Sequence, residues 1–285
     1  MWDVLTSHGH EVFGLDDLSR QTAVPRISPR SVVGDVVDIR RIPIFVQDFD
    51  WVVHLAGQVS VVAGESNPER DFHTNARGTF EVVQWAKERD AGVIYSSTNK
   101  VFGELDGLRD PIQDDAPLNP QTNYGVSKAA GAQYVADYER GWALHQSCIY
   151  GPTQFGEIDQ GWIGWLRNSI LRGSPITCFG DGTQVRDILH VSDLITLYEC
   201  ILNGAIPAGS YIAGGGAENT VTFEEAVRML GGEIASFTDW RPHDQRYFVS
   251  ANSGLTSFGW TSQISKSMGI AELSENFIGD DSAVT

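Results

Sequence analysis

Apolar positions along this chain follow two alternating periods. Short continuous runs, Trp51 to Leu55 and Ala91 to Tyr95 among them, read as strands buried on both faces. Between such runs lie segments whose apolar residues return every three or four positions, the mark of a helix with one buried stripe. From Asn67 onward, Phe72, Ala76, Phe80 and Val83 recur at spacings of four, four and three, which predicts one helix with a single apolar face running to about Glu88. Asn67-Pro68-Glu69 supplies its start: a capping side chain, a proline at the first position and an acid in the first turn. A second helix is predicted from Tyr124 to Arg140, with Tyr134, Val135 and Tyr138 along it and Gly141 as its stop. Trp2 to Ser7 reads as the tail of a helix closed by Gly9.

Other stretches complete the pattern. Glu11 to Asp17 reads as a strand closing on two acids, Ser31 to Val36 as another with a polar end, and Asp50 to Gly57 as a buried strand. Strands alternating with helices of this size predict an α/β fold with a doubly wound parallel sheet and right-handed connections. After Tyr150-Gly151-Pro152 the chain becomes polar and glycine-rich, with Trp162 and Trp165. Residues 1–150, joined by a helix returning at about 187–208, are expected to form one domain. Residues 151–186 and 209–285 are expected to form a smaller, discontinuous second one, with a helix to Arg172, a loop from Gly180 to Asp187, a strand at Ser210 to Ala213 and a helix from Thr222 to Leu230.

Charge narrows the possible partners. Against 20 lysines and arginines stand 37 aspartates and glutamates, a formal net charge of −17, which argues against nucleic acid or an anionic membrane as the main partner. An anionic substrate must then be met by locally placed arginines. No apolar run approaches the roughly 20 residues needed to cross a bilayer, and the N-terminus lacks a basic stretch followed by an apolar one. A soluble, cytoplasmic protein is expected. Cys148, Cys178 and Cys200 are too sparse for a disulfide framework, and no histidine falls in a metal-ligand spacing, so no metal is expected.

Candidate chemistry centres on Asn123-Tyr124-Gly125-Val126-Ser127-Lys128. Residues four apart on a helix share a face, so Tyr124 and Lys128 set an ammonium beside a phenol. A free tyrosine titrates near pH 10, and bringing it to neutral pH takes about 4 kcal/mol of differential interaction with a neighbouring charge. The product is a general base. Such pairs also occur on helices that merely cover a surface, so the upstream partner matters. Ala91 to Ser97 reads as a buried strand ending in hydroxyls, and open α/β sheets place their chemistry at strand ends. Ser96 lies at that end, and Thr98 follows as a second proton-sharing group.

A dinucleotide is suggested nearer the N-terminus. Asp16 and Asp17 can accept hydrogen bonds from adenosine ribose hydroxyls, the arrangement that selects NAD over NADP, or can simply form turns. Asp35 and Val36 are placed to flank an adenine. Leu55, Ala56 and Gly57 close the next strand, and the last two are small enough for a cofactor to pass close to the backbone, although a tight turn explains the glycine equally well.

Serine or threonine, tyrosine and lysine in this order resemble the extended short-chain dehydrogenase/reductase family. His54-Leu55-Ala56-Gly57-Gln58-Val59-Ser60, the run Tyr95 to Gly103, Asp159-Gln160-Gly161-Trp162-Ile163-Gly164-Trp165 and the run Gly182 to Asp187 make the chain similar to its NAD-dependent nucleotide-sugar epimerases and dehydratases. Ser96-Ser97-Thr98-Asn99-Lys100 and Asp159-Gln160-Gly161-Trp162 point to the branch that epimerises a CDP-linked dideoxyhexose at C2. The resemblance implies NAD as the cofactor, contacted by Asp16, Asp17, Asp35, Val36, Leu55, Ala56 and Gly57 and by Ser96, Tyr124 and Lys128. Tyr124 would take the hydroxyl proton, Thr98 would share its hydrogen bond, and Lys128 would hold the nicotinamide ribose and stabilise the tyrosinate. Gln58, Asn99, Gln160, Arg186 and Arg241 would bind the nucleoside-diphosphate sugar, the two arginines at its diphosphate. Relatives commonly pair through the helices beginning near Asn67 and Tyr124, so a homodimer or larger homo-oligomer is expected.

The departures from the pattern carry their own expectations. Dehydratases of the family have Asp-Glu directly after the threonine, whereas Asn99 and Lys100 stand here, and an amide cannot replace a carboxyl group in proton transfer. Dehydration is therefore disfavoured. C4 epimerisation of a UDP-hexose uses the same three catalytic groups and stays open, as does binding of a nucleotide sugar without turnover. The family opens with a strand and a Gly-x-x-Gly-x-x-Gly turn that cradles the NAD diphosphate. This chain starts after that turn, and Gly214-Gly215-Gly216 cannot substitute for it, so an incomplete reading of a longer gene is expected, with unpaired edges on the neighbouring strands. His145 stands where relatives usually have arginine, and His243 replaces a glycine in an Arg-Pro-Gly-Asp pattern.

Overall fold

The structure, a computed structural model, describes residues 1–19, 30–105, 107–154, 156–157 and 160–275. Asp159, part of one of the resembling runs, lies outside them. Helix α1 (Trp2–Ser7) precedes β1 (Gly14–Asp16), which pairs in parallel with β2 (Ser31–Val33). The Asp35 carboxylate accepts from the Val37 N–H and so caps a 3-10 helix, Val36–Arg41, where the sequence suggested more strand. Next come β3 (Trp51–His54), α2 (Val61–Ser66) and α3 (Pro68–Asp71), the last capped by the Asn67 side chain. A π-helical segment, Phe72–Arg77, leads into α4 (Gly78–Lys87) and then β4 (Gly92–Ser96). Helix α5 (Asn123–Ala136) is capped by Thr122 and is followed by β5 (Gly141–Gln146).

The second half runs β6 (Cys148–Tyr150), α6 (Trp162–Leu171), β7 (Ile176–Phe179), β8 (Val185–His190) and α7 (Val191–Leu202). It continues with β9 (Gly209–Ala213), β10 (Thr220–Thr222), α8 (Phe223–Met229), β11 (Ile234–Thr238), β12 (Tyr247–Phe248), α9 (Ser253–Ser257) and α10 (Lys266–Glu275).

Strands β3, β4, β5 and β9 form one all-parallel sheet in that order. Val93 and Tyr95 of β4 belong to a core shared with Val82 and Trp85 of α4 and Ala132 and Val135 of α5. Ile94, between them, belongs to the opposite core with Leu194, Leu197 and Ile201 of α7. In β5 the same alternation puts Ala143 in the first core and Trp142 and Leu144 in the second. Both faces are covered, which is why these strands read as unbroken apolar runs. This is a doubly wound, Rossmann-type α/β fold. A second group of strands centres on β8, parallel to β6 and β12 and antiparallel to β10, with β7 and β11 paired alongside as a separate two-stranded sheet. Among the described residues, no helix is long and apolar enough to cross a membrane.

Four readings of the sequence are corrected. The helix from Asn67 does not keep one apolar face, because the π-helical turn inserts extra residues and shifts its phase. Ala76 and Val83 are 4% and 1% exposed, but Phe72 and Phe80 face outward at 65% and 36%. Gly141 is not a helix stop but the first residue of β5, and a side chain there would overlap the Val135 carbonyl. Arg186 lies on β8 rather than in a loop. Finally, the strand placed in the smaller domain, now β9, is hydrogen-bonded along β5 from Trp142 opposite Gly209 to Gln146 opposite Ala213, so it extends the first sheet. Leu255 and Trp260 also pack into the α7 core, returning that later segment to the first sheet as well.

Candidate active site

A cleft of about 410 Å³ opens where β3, β4 and β5 end, the end at which open α/β sheets bind ligands. Leu55, Ser96, Thr98, Asn99, Lys100, Tyr124 and Lys128 line one side of it; Gln160, Trp162, Phe179, Arg186, Arg241 and Asp244 come from the later part of the chain.

Close packing of α5 against β4 sets the first side. A Cβ at Gly131 would stand 2.6 Å from the Tyr95 hydroxyl and 2.8 Å from the Asn75 carbonyl, so only glycine allows this approach. Asn75 ties the region together, donating to the Ser127 hydroxyl and the Gln58 carbonyl, each at 3.0 Å, and accepting from the Gln58 N–H at 2.9 Å. Lys128 is thereby buried at 4% exposure, its ammonium 4.3 Å from the Tyr95 ring centroid and donating to the Ser96 carbonyl. Burial pushes its pKa down to about 7. Tyr124, one turn earlier, is also buried and lines the same cleft.

The hydroxyl groups at the end of β4 are each held. Thr98 accepts from the Lys100 N–H and donates to Asn99 Oδ1, both at 3.3 Å. Ser96 donates to Gln146 Oε1 at 2.8 Å, and the Gln146 amide donates to the Tyr198 hydroxyl at 3.0 Å. His145 bridges the hydroxyls of Ser97 and Ser210 at 3.1 and 2.9 Å. Burial and the charge of Lys128 push its pKa down to about 4, so it is neutral at pH 7.

At the other end, Arg186 is fixed as a fork. It donates to the Val185 carbonyl at 2.8 Å, to Asp244 Oδ1 at 3.2 Å and to the Gln245 carbonyl. Lys100 Nζ lies 3.7 Å from the same Asp244 oxygen. Burial pushes the Lys100 pKa down, and Asp244 opposes that shift only in part. The Arg241 guanidinium stacks 3.8 Å from the Phe179 ring centroid. Gln160 pairs through its backbone with Glu157.

Other expected site residues lie apart. Asp16, Asp17, Asp35, Val36, Ala56, Gly57 and Gln58 do not line this cleft. Asp16 and Asp17 accept from the Leu18 and Ser19 N–H groups at 2.8 and 2.9 Å and so close turns. His73 lies 2.9 Å from the Asp35 carboxylate; partial burial opposes that charge, but the Val37 N–H, His73 and Arg77 outweigh it and hold the carboxyl below its ordinary pKa. The Val36 side chain is core, packed towards Gly78. Gln58 is corrected as a substrate contact: its amide donates to the Ser60 carbonyl and to Asp71 and accepts from the Ser60 N–H, which commits it to the turn before α2. Lys100, Gln146 and Asp244 were not singled out as ligand contacts. The signal for Lys100 was its place beside Thr98; the pairing of Asp244 with Arg186 depends on the fold.

A Rossmann-type sheet whose strand ends bring a threonine, a tyrosine and a buried lysine into one cleft has the groups of a nicotinamide-dependent enzyme acting on an alcohol. Residues 1–214 match the NAD dependent epimerase/dehydratase family, and the chain belongs to that family. It is 30% identical over 312 residues to CDP-paratose 2-epimerase of Salmonella typhi, covering 94% of this chain and 92% of that protein. It is 28% identical to UDP-glucose 4-epimerase of Mycolicibacterium smegmatis, over 96% and 93%. Among solved structures, the Thermus thermophilus UDP-glucose 4-epimerase complex with NAD matches with a TM-score of 0.85 at 25% identity, covering 98% and 94%. NAD is the family's cofactor, and the nicotinamide end of the cleft fits it. A Cβ at Gly57 would stand 3.1 Å from Asn75 Oδ1 and 3.7 Å from Lys128 Nζ, so the turn after β3 runs close to the buried ammonium, a donor that a ribose hydroxyl can meet from the cleft.

Proposed function

We propose that the protein epimerises a nucleoside-diphosphate sugar through a transient ketone, and that its substrate is a CDP-linked dideoxyhexose inverted at C2. The observation that supports this best is the grouping of Thr98, Tyr124 and Lys128 in one cleft, with Asn99 and Lys100 where an eliminating enzyme needs carboxyl groups. NAD, when bound, supplies the site that accepts hydride and returns it. Tyr124 takes the hydroxyl proton as the carbinol is oxidised and gives it back on reduction. Thr98 holds the same oxygen by a hydrogen bond, and the Lys128 ammonium favours the phenolate. Asn99 and Gln160 orient the sugar while Arg186 and Arg241 hold the diphosphate. Asp16, Asp17 and Asp35 take the adenosine half of the cofactor, beside Val36, Ala56 and Gly57.

The first lobe is assigned to the cofactor and the lobe around β8 to the nucleotide sugar. Outward-facing Phe72, Phe80, Val126 and Tyr134, with the Phe80 and Tyr134 rings in edge contact at 5.3 Å, support a homodimer built on α4 and α5. The three free cysteines suit a reducing compartment such as the cytoplasm.

A second reading, C4 epimerisation of a UDP-hexose, has the Mycolicibacterium relative in its favour. Incubating the protein and NAD with CDP-paratose and, separately, UDP-glucose decides between them by the NMR signals of the product sugar. CDP-tyvelose is the expected product; conversion of UDP-glucose alone overturns the C2 assignment.

A further inference from the structure

We propose that Lys100 selects which sugar carbon reacts, by binding the phosphate attached to the sugar and so bringing the adjacent carbon, C2, to Thr98 and Tyr124. This rests on the nucleotide-sugar reading above and states which edge of the ring faces the reacting groups.

Three features place Lys100 in that role. It lies two residues past Thr98, in the 3-10 turn that Thr98 caps, and both line the cleft. Its ammonium shares one oxygen of Asp244 with Arg186, at 3.7 and 3.2 Å. One carboxylate therefore serves two cations, and a positive charge is left over on this wall of a protein whose net charge is −17. The two cations also differ in freedom. Arg186 is pinned by the Val185 and Gln245 carbonyls, whereas lysine carries a compact charge on a flexible four-carbon stem. Lys100 can thus leave Asp244 for a phosphate oxygen while Arg186 keeps that carboxylate satisfied. Burial lowers its pKa, and an incoming phosphate opposes that shift as Asp244 does.

The geometry of the substrate turns this contact into regioselectivity. A nucleotide sugar carries its phosphate on C1; C2 is the next ring carbon, and C4 lies across the ring. With the ammonium at the phosphate and the Thr98 hydroxyl one short turn away, the carbon beside C1 is the one within reach. A neutral side chain at position 100 removes that constraint and lets the ring enter with C4 forward.

Titration calorimetry on the full chain tests the contact, using CDP, UDP and dTDP and the matching monophosphates. For the diphosphate that the wild type binds, Lys100→Met is expected to weaken affinity about tenfold, while the monophosphate changes less than about twofold and so reports an intact fold. Lys100→Arg is expected to keep the diphosphate within about threefold. In turnover, Lys100→Thr is expected to lower the ratio of C2 to C4 epimerisation about tenfold or more. Unchanged diphosphate affinity in Lys100→Met, or an unchanged ratio in Lys100→Thr, overturns the proposal and leaves the nucleotide-sugar reading standing. A wild type that binds none of the three diphosphates overturns that reading, and this proposal with it.

Discussion

Lys128 sits against the Tyr95 ring, its ammonium 4.3 Å from the centroid, so the face of α5 and the end of β4 meet through a buried cation. That contact sets a pH dependence. The Lys128 pKa falls from 10.5 to about 7 on burial, so between those values the unfolded chain holds more protons than the folded one, and stability rises with pH across the window. Below about pH 7 the lysine is charged in both states and the full cost of burying the charge remains. Urea unfolding at about pH 7 and about pH 10 should show this rise in the wild type and a flatter profile in Lys128→Met. The same variant should be no less stable at pH 7, yet lose about 100-fold or more in kcat.

Tyr124→Phe keeps a ring in the cleft wall and removes only the hydroxyl. The expected result is a melting temperature within a few degrees of wild type, a KM within about threefold, and a kcat lower by about 100- to 10,000-fold. Thr98→Val removes a hydroxyl that also accepts from the Lys100 N–H, so it should cost about tenfold in kcat together with a measurable loss of stability.

Gly141→Ala tests the turn between α5 and β5. The new methyl group would overlap the Val135 carbonyl, and the backbone shift should cost about 3 kcal/mol. Gly204→Ala is the comparison: its Cβ meets nothing within 4 Å, but φ is +75°, so about 1 kcal/mol is expected from backbone strain alone. The difference between the two urea midpoints checks the argument.

Phe72→Glu and Trp85→Ala separate an outward face from a core one. Trp85 is 1% exposed, and its indole N–H donates to the Phe45 carbonyl at 2.9 Å, so truncation should cost about 3–5 kcal/mol. Phe72→Glu should leave stability within about 0.5 kcal/mol while shifting sedimentation towards a monomer. A sedimentation profile unaffected by the charge would sink the α4–α5 homodimer.

The sheet was legible because β4 and β5 bury alternate residues in two different cores, which writes an unbroken apolar run into the chain. Helix α5 was legible from the run through Tyr124, Tyr134, Val135 and Tyr138, although it ends at Ala136 rather than Arg140. The face of α4 was misread because spacing rules assume a constant period, and the π-helical turn at Phe72–Arg77 breaks it without any residue that announces the change. Gln58 was misplaced for a different reason: its amide is claimed by Ser60 and Asp71, a competition that only the folded turn reveals. Asp244 and Lys100 meet across more than 140 positions, and no local pattern could pair them.

Strands β1 and β2 are hydrogen-bonded to each other but, among the described residues, not to β3. Leu15 of β1, with Phe13 just before it, packs against the α4 core. The amides of β1 and β2 should therefore exchange with solvent sooner than those of β4 and β5. A dinucleotide laid from Asp16 to Lys128 would fasten two cooperative units into one, and slowed exchange at Leu15 and Val32 would register its arrival. Part of the binding free energy would then be consumed in that fastening, and cofactor affinity would report how firmly this ribbon is seated.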